Sequence, residues 1–569
     1  MHVLHELYKR DLHALPTACA LPLGRVWRTV LSGEDCERAF AAAEVATLLD
    51  LRRALRNGTV WIEHSLAFRG RETLFIPQQP WQKSRRAYYR RLSLPTDPSA
   101  FFEPLAERAQ AAARAVADGA VAGVLCVDEE LHLTPLAALE EDPKLSKLRT
   151  GLDKRVGDAQ LPELILEVDA QVRFSWIMLG GEPRSTRELL MVYAGILTDG
   201  TALSAAETAR MIPQLSPASV RPAMKWASDE RRLTEACSAV LAFMHRHPVA
   251  TTWGRADLAS SDMMSLETNK RVFLARNDPR RQTPSIGIYS HVRDRWGISY
   301  AQPIVLNERQ AGAAIEGVVR DERLETAQLA VDTHGYVAMA IAKLLGFDLC
   351  PRLKALKDRH LFLPRGTDIP DILGSICHAN IDLAKIAAQW ERIVHLIASV
   401  HSGHTSAINV LARFGSAAPG DPLYEALAHL GRLLRTVFLA DYFVNEAFRR
   451  ELLRVLNRGE SVNALKRSIY VGRVASYQAK QHDEMQAVAD ALSLLANLVM
   501  AWNTMKMQAV LDRWNARRSS VVPPELIGRI APTRTEGINL RGVFSFPVEQ
   551  YADQLLPSLA ASKSRLVGL

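Results

Sequence analysis

A short apolar run that ends in an acid is the feature that most constrains the fold of this chain. Residues Thr326–Val331 are largely apolar, as in a strand buried on both faces, and Asp332 follows them directly. The next segment, THGYVAMAIAKLLGF, has the periodicity of a helix with one apolar face. A buried strand that ends at Asp332 and leads into a helix predicts a layered core of sheet and helices.

The segment from about residue 246 to 350 alternates between strand and helix patterns. Apolar residues predict strands at 271–276, 285–292 and 302–306, and a helix follows over 307–324. Three strands, a helix, a strand and a helix, in that order, are typical of an RNase H-like core. The predicted fold class is therefore mixed α/β and predominantly helical.

Two further acids stand in ordered surroundings. Asp262 follows a short strand-like stretch in WGRADLASSD, and Glu460 opens a helical pattern in LNRGESVNALKR. Mg²⁺ prefers oxygen ligands, and one carboxylate can bridge two ions roughly 3.5–4 Å apart. Two aspartates at strand ends and a glutamate on a helix therefore fit a two-metal phosphoryl-transfer site. Acids at strand ends are also common without any such role.

Longer segments around these acids resemble the catalytic half of the transposases of class II replicative transposons (Tn-three type). The segment AVDTHGYVAMAIAKLLGFDLCPRLKALKDRHLF resembles the second-aspartate segment of that family, and LNRGESVNALKRSIYVGR resembles its glutamate segment. WGRADLASSD resembles the first-aspartate segment. The resemblance runs from about residue 25 to 547, with further similar segments at 430–443 and 500–504.

The resemblance implies a DDE triad in which Asp262, Asp332 and Glu460 are catalytic and hold two Mg²⁺ ions, which Mn²⁺ can replace. It implies cleavage at the 3′ ends of a transposon, at its terminal inverted repeats, and joining of those ends to target DNA. The implied partner is double-stranded DNA. Because two transposon ends are paired during the reaction, the resemblance also implies a homodimer.

Two features depart from the family pattern. After Asp262, Met-Met-Ser-Leu takes the place of glycine and polar residues, which leaves the wall of the site near the first aspartate undefined. Members of the family are usually much longer, with N-terminal modules that recognise the transposon ends. Two explanations stay open for the shorter chain: an internal or truncated start, or a separate chain that supplies the end-binding part.

Changes of pattern along the chain predict six regions. The 128 positions from Asp332 to Glu460 far exceed one strand–helix connection, so an insertion is required between them. The core is thus predicted to be split by a long helical insertion and preceded by mostly helical domains. The six regions are a mixed α/β DNA-contacting or linker domain at 1–100, a helical scaffold domain at 101–245, the first part of the RNase H-like core at 246–350, the helical insertion at 351–450, the last part of the core with closing helices at 451–520, and a C-terminal tail at 521–569.

The composition agrees with a DNA-handling protein of the cytoplasm, associated with the nucleoid, but does not demand one. Among 569 residues the net charge is +8, a modest basic excess that permits binding of a polyanion. The N-terminus lacks the apolar core of a secretion signal, and the apolar run at 491–502 is too short to span a bilayer, so no membrane partner is expected. Six scattered cysteines without a CxxC pair disfavour a zinc module and a disulfide framework.

Basic residues are candidates for DNA contacts because cations pair with the phosphate backbone. The densest basic and aromatic run spans 81–91, where interleaved rings would suit a splayed base, and a second basic cluster spans 270–281. Solvated helix or loop faces show the same composition, and His334 can instead cap the helix that follows it. The candidates are Lys83, Arg85, Arg86, Arg90, Arg91, Lys270, Arg271, Arg280, Arg281, His334, Arg352, Lys354, Lys357, Lys466 and Arg467.

Two other interpretations of the function stay open. One is a generic RNase H-like nuclease or resolvase, against which the segments NRGE and DTHGY argue. The other is a non-catalytic DNA-bound fragment: a truncated relic, or a regulator that occupies transposon ends or sequesters full-length subunits. The presence of all three acids argues against long decay, although not against a recent truncation.

Overall fold

The structure is a computed structural model of the chain. The structure describes residues 2–9, 27, 35–65, 68–128, 130–138, 142–272, 274–306, 310–321, 326–332, 335–353, 356–414, 420–470, 482–517 and 522–560. At residues 2–4, 7, 56, 57 and 357 it describes the backbone alone.

The strands of the described residues are short except for β4 and β6. In chain order they are β1 Leu125–Val127, β2 Leu131–Leu133, β3 Ala159–Gln160, β4 Leu258–Glu267, β5 Arg276–Asn277, β6 Pro284–Arg293, β7 Ile298–Ile304, β8 Gln328–Val331, β9 Asp348–Pro351, β10 Leu361–Pro364, β11 Cys377–Ile381 and β12 Ile538–Asn539.

Helices account for most of the ordered backbone. In chain order they are α1 His2–Lys9, α2 Cys36–Asn57, α3 Gln78–Arg91, α4 Ser99–Val121, α5 Pro143–Val156, α6 Leu161–Val172, α7 Phe174–Leu179, α8 Thr186–Thr201, α9 Ala205–Met211, α10 Pro217–Ala227, α11 Glu230–Arg246, α12 Pro248–Thr251, α13 Ala311–Arg320, α14 Tyr336–Leu344, α15 Leu383–His401, α16 Ala407–Phe414, α17 Pro422–Val444, α18 Glu446–Ile469, α19 His482–Arg517, α20 Pro524–Ile527 and α21 Ala552–Leu555.

The main sheet has six strands and carries the residues of interest. Its path is β5-β6-β4-β8-β9, and β7 pairs with β6 on the side of β6 away from β4. β6 runs antiparallel to β4 and β7, whereas β8 runs parallel to β4 and β9 runs parallel to β8. Consequently the carboxyl ends of β4, β8 and β9 point toward the same edge of the sheet. The observed class is the mixed α/β, predominantly helical one that the sequence predicted.

The sequence pattern located most of this sheet, with two errors. The predicted strands at 285–292 and 302–306 overlap β6 and β7. The predicted strand at 271–276 is wrong, because Val272 is a buried anchor of a turning connection and only Arg276–Asn277 is extended. Asp262 does not follow a short strand but lies in the middle of the ten-residue β4.

Helices cover both faces of the sheet, which explains why nearly every residue of β6 is buried. α18 packs across β4 and β6 on one face, and α13 packs against β6 on the other, where His291 Nε2 lies 2.9 Å from the carbonyl oxygen of Ala314. Between Asp332 and Glu460 the described residues form helices α14 to α17, the first part of α18, strand β9, and a small parallel pair, β10 and β11. The six-part division of the chain stays a prediction.

By length and composition, one helix of the described residues could cross a membrane, the 36-residue α19. Its apolar window is wholly buried inside the protein, where α8, α11 and β7 pack against it. Such burial on all sides is typical of a central core helix.

Candidate active site

Asp262 and Asp332 come together through the register of two parallel strands. Ser260 of β4 pairs with Ala330 of β8. Continued by two residues, this register places Asp262 beside Asp332, which directly follows β8. Neighbouring strands lie about 4.8 Å apart, so the two carboxylates can act on one ligand.

Glu460 reaches the same place from helix α18, where it follows a glycine that allows close packing. A Cβ added at Gly459 would lie 3.3 Å from Ser260 Oγ and 3.7 Å from Asp262 Cβ. Burial raises the pKa of Asp262, and the negative charges of Asp332 and Glu460 raise it further. The three carboxylates are therefore close enough to interact.

Asp262 is held by two hydrogen bonds. The backbone N–H of Met263 donates to Oδ1 at 2.7 Å, and the side-chain amide of Asn463 donates to Oδ2 at 3.0 Å. Both bonds favour the ionised carboxylate and so oppose the effect of burial on the pKa of Asp262. This aspartate is half-buried, whereas Asp332 and Glu460 are exposed.

A buried ion cluster anchors helix α18 to the sheet. Asp294, which directly follows β6, is fully buried and accepts two hydrogen bonds from Arg454, at 2.7 and 2.9 Å, and another from Arg458. Arg458 also donates to the carbonyl oxygen of Trp253. The backbone N–H of Arg255 donates to the same carboxylate at 2.9 Å. These bonds tie the helix to the segment before β4, which fixes the position of Glu460 relative to Asp262.

The donor chemistry fits Mg²⁺, although the carboxylates do not form a closed cage. Within the described ranges, no group of three His, Cys, Asp or Glu side chains is arranged to hold a metal ion. Glu460 Oε1 lies 3.9 Å from Arg352 Nη1, and 63% of the glutamate side chain is exposed. Three interacting carboxylates are an all-oxygen set of the kind that Mg²⁺ prefers. Glu460 would have to turn away from Arg352 to complete it.

The two basic residues that follow Glu460 on α18 have opposite surroundings. Lys466 is fully buried and donates from Nζ to Ser290 Oγ at 2.7 Å, whereas Arg467 is exposed. Burial lowers the pKa of Lys466 to about 7, and the charge of Asp262 acts in the opposite direction. A DNA contact by Lys466 would require it to leave the interior; Arg467, two turns beyond Glu460, needs no such movement.

The basic run at 81–91 forms α3, called the basic helix below. The indole ring of Trp81 in this helix is buried and stacks on the ring of His395, with the two ring centroids 4.2 Å apart. Tyr89 is buried as well. Arg85 pairs with Glu391 at 3.1 Å. Both rings therefore face the interior, where no base can stack on them. The exposed cations of the basic helix are Lys83, Arg86, Arg90 and Arg91.

The second basic cluster lies in the connection between β4 and β6, residues 268–283, called the basic hairpin below. Asp278 is buried and shapes the turn by accepting the backbone N–H of Arg280 at 2.8 Å. The hairpin begins six residues beyond Asp262, about 20 Å away at the rise of an extended strand. Its exposed cations include Lys270, Arg271, Arg280 and Arg281.

Among the remaining candidates, Arg352 lies beside Asp332 in the sheet. Arg352 is exposed, and its backbone N–H donates to the carbonyl oxygen of Val331 at 2.7 Å, which places it next to the second aspartate. His334 and Lys354 lie outside the described residues, as does the side chain of Lys357. Their DNA contacts stay predictions.

Sequence reasoning missed Asn463 and Asp294. Asn463 lies three residues after Glu460, about one helical turn, and so on the same side of the helix. A polar residue on the side of the helix that carries Glu460 was the signal available in the sequence. Asp294 gave no local signal, since the arginine side chains that pair with it, Arg454 and Arg458, lie 160 or more positions later in the chain.

Comparison with known proteins decides the family. A family model described as the Tn3 transposase DDE domain matches residues 163–544, which contain all three acids. The chain belongs to this family of transposases. Among curated relatives, it is similar to the transposase for insertion sequence element IS1071 in transposon Tn5271 of Comamonas testosteroni, with 67% identity over 558 residues. That alignment covers 98% of this chain and 57% of the relative.

More distant Tn3-family relatives align over the same part. The transposase for transposon Tn2501 of Escherichia coli is 25% identical over 561 residues, covering 95% of this chain and 55% of the relative. The transposase for transposon Tn501 of Pseudomonas aeruginosa is 25% identical over 540 residues, covering 93% and 54%. The chain thus spans about half the length of the curated relatives it matches.

Proposed function

We propose that this chain carries the catalytic centre of a replicative transposase, which cleaves DNA at the 3′ ends of a transposon and joins those ends to target DNA. One observation carries the proposal: three carboxylates meet at one edge of the sheet. Asp262 and Asp332 are supplied by adjacent parallel strands, and Glu460 by the helix packed across β4. Membership of the Tn3 transposase family supports the same chemistry.

We further infer that the sheet is an RNase H-like core. When the strands of the main sheet other than the two-residue β5 are numbered in chain order, their order across the sheet is third, second, first, fourth and fifth. Of these five strands, only the second, β6, runs antiparallel to the rest. Helix α13 connects the third strand to the fourth. This order and direction support the RNase H-like interpretation.

Asp262, Asp332 and Glu460 are the residues that would hold two Mg²⁺ ions, or Mn²⁺ in their place. When bound, such a pair of ions activates the attacking water or DNA 3′-hydroxyl and stabilises the leaving oxygen. The chain itself supplies the orientation of the carboxylates. Asn463 and the Met263 N–H hold Asp262, while Asp294 keeps α18, and with it Glu460, against β4.

We propose double-stranded DNA as the partner, both as transposon terminal inverted repeats and as target. The basic hairpin supports this, because its exposed cations lie beyond the acids at the same edge of the sheet, where a duplex leaving the site would pass. A homodimer on paired ends and a cytoplasmic, nucleoid-associated location are parts of the same proposal.

The test is metal-dependent joining of a labelled, pre-cleaved transposon-end oligonucleotide to plasmid DNA. Wild-type chain with Mg²⁺ is expected to give joined product, and Asp332→Asn none. Asp348→Asn is the matched control, since it removes a carboxylate that pairs with Lys343 at the opposite edge of the sheet and should leave joining unchanged.

Absence of product from folded wild-type protein that still binds DNA would overturn catalysis by this chain alone. It would favour the second interpretation, in which the chain is a DNA-bound relic or regulator of a longer transposase. The observation that supports this interpretation is that the chain covers 54–57% of the length of these relatives. Equal product from wild type and Asp332→Asn would remove the three acids from the mechanism.

A further inference from the structure

Polar side chains fill part of the contact between α18 and the sheet, where apolar packing is the usual arrangement. Asp262 of β4 is directly opposite Ser290 of β6, so their side chains share one face of the sheet. On the helix, Gly459, Asn463 and Lys466 are spaced by four and three residues and so lie on one face. The two faces meet, as the contacts of Asn463 and Lys466 demonstrate.

Asn463 acts on the orientation of Asp262. Its amide donates to Oδ2 at 3.0 Å while the Met263 N–H donates to Oδ1 at 2.7 Å, so each carboxylate oxygen has one fixed donor. An ionised carboxylate offers about four acceptor positions, which leaves lone pairs on both oxygens for a cation. Hydrogen-bonded partners of this kind typically contribute about 10–100-fold to metal affinity or activity.

Lys466 differs, because in its protonated form it contributes a positive charge. The ammonium group is fully buried and hydrogen-bonded to Ser290 Oγ, the residue opposite Asp262. An isolated buried cation is costly unless opposite charge lies nearby. The negative potential of Asp262, with Asp332 and Glu460 beyond it, is the compensating charge on this side of the helix.

We propose that Asn463 and Lys466 are positioning residues that act on the metal site in opposite senses. Asn463 holds the Asp262 carboxylate in the orientation that accepts a divalent cation. Lys466 serves as a resident counter-ion, which balances the three clustered carboxylates while no divalent cation is bound and opposes its entry. The inference rests on the proposed function of the three acids as a Mg²⁺ site.

The opposite signs make the inference testable by metal binding without any DNA reaction. Mn²⁺ alone is titrated into the full chain, and free Mn²⁺ is measured by electron paramagnetic resonance. Asn463→Leu removes the amide at similar volume and is expected to weaken Mn²⁺ binding at least about tenfold. Lys466→Met removes the charge at similar volume and is expected to tighten it by about three- to tenfold, since a like charge near the ions is lost.

Two further variants separate this role from simple packing. Lys466→Arg keeps the charge and is expected to restore wild-type affinity. Lys506→Met removes a partly buried lysine that pairs with Glu167 away from the acids, and is expected to leave the Mn²⁺ affinity unchanged. Thermal melting of each variant without metal confirms folding before the titration is interpreted.

Failure takes distinct forms. Weaker binding in both Asn463→Leu and Lys466→Met, in proportion to their loss of thermal stability, would overturn the inference and indicate a structural contact only. So would unchanged affinity in both variants while Asp332→Asn abolishes binding. Equal Mn²⁺ affinity in wild type and Asp332→Asn would overturn the proposed metal site and this inference together.

Discussion

The basic hairpin and the basic helix look alike in sequence and differ in their surroundings. Each presents several exposed cations of the kind expected to meet DNA. In the basic helix, however, the neighbouring rings of Trp81 and Tyr89 are buried and Arg85 is paired with Glu391. The helix is therefore fastened to the protein by the aromatic residues that suggested DNA binding.

Their positions differ as well. The basic hairpin follows β4 at the edge of the sheet where the acids meet. The basic helix instead packs on α15, where Trp81 stacks on His395 and Arg85 pairs with Glu391. The comparison teaches that composition selects candidate cations, while topology decides which of them lie beside the site.

The largest expected effect is on stability, from Trp81→Ala. The buried indole stacks on His395, so its removal should lower the free energy of unfolding by about 3–5 kcal/mol in a denaturant titration. Lys83→Ala, an exposed change on the same helix, is the control. If the Trp81→Ala variant lost affinity for DNA while its stability stayed unchanged, Trp81 would instead be a site on which a DNA base stacks.

Removing the hairpin cations tests the proposed DNA surface. The fourfold variant of Lys270, Arg271, Arg280 and Arg281 to Ala should lower affinity for a duplex on the order of 100-fold, with the slope of log K against log salt reduced by about 3 to 4. Fluorescence anisotropy between low and moderate salt measures both. An unchanged slope would exclude the hairpin from the DNA path.

The matched experiment on the basic helix should have a smaller result. Changing Lys83, Arg86, Arg90 and Arg91 to Ala removes the same charge from a helix that packs on α15 rather than from the connection that follows β4, so we expect at most about a threefold loss of duplex affinity and a slope change below about 1. A loss equal to that of the hairpin variant would erase the distinction between the two surfaces.

The smallest effect is expected for the pair of Arg85 and Glu391. It is half-exposed, so a double-mutant cycle with both residues changed to Ala should give a coupling of about 0.5 kcal/mol in unfolding experiments. A coupling above about 2 kcal/mol would mean that the pair, rather than Trp81, fastens the basic helix.

Much of the architecture could be predicted because it depends on local pattern. Periodicity located β6, β7 and β8 with the helices between and after them, and the length from Asp332 to Glu460 required an insertion. The segment at 271–276 misled because a buried anchor in a turn and a strand residue can both be apolar. The roles of the individual acids and of the DNA-contact residues stay predictions that the experiments above address.

By itself, the sequence determined the family and located β6, β7 and β8 with their neighbouring helices, since these reside in residue identity and local periodicity. It also selected the three acids as candidates. Only the tertiary structure decided which side chains face the site. Lys466 and Arg467 are neighbours, yet one is buried beneath Asp262 and the other is exposed, because the rotation of α18 about its axis is set by Asp294 and Gly459. Asn463 gained its partner for the same reason: contacts distant in the chain, rather than adjacent residues, fix how a helix lies on a sheet.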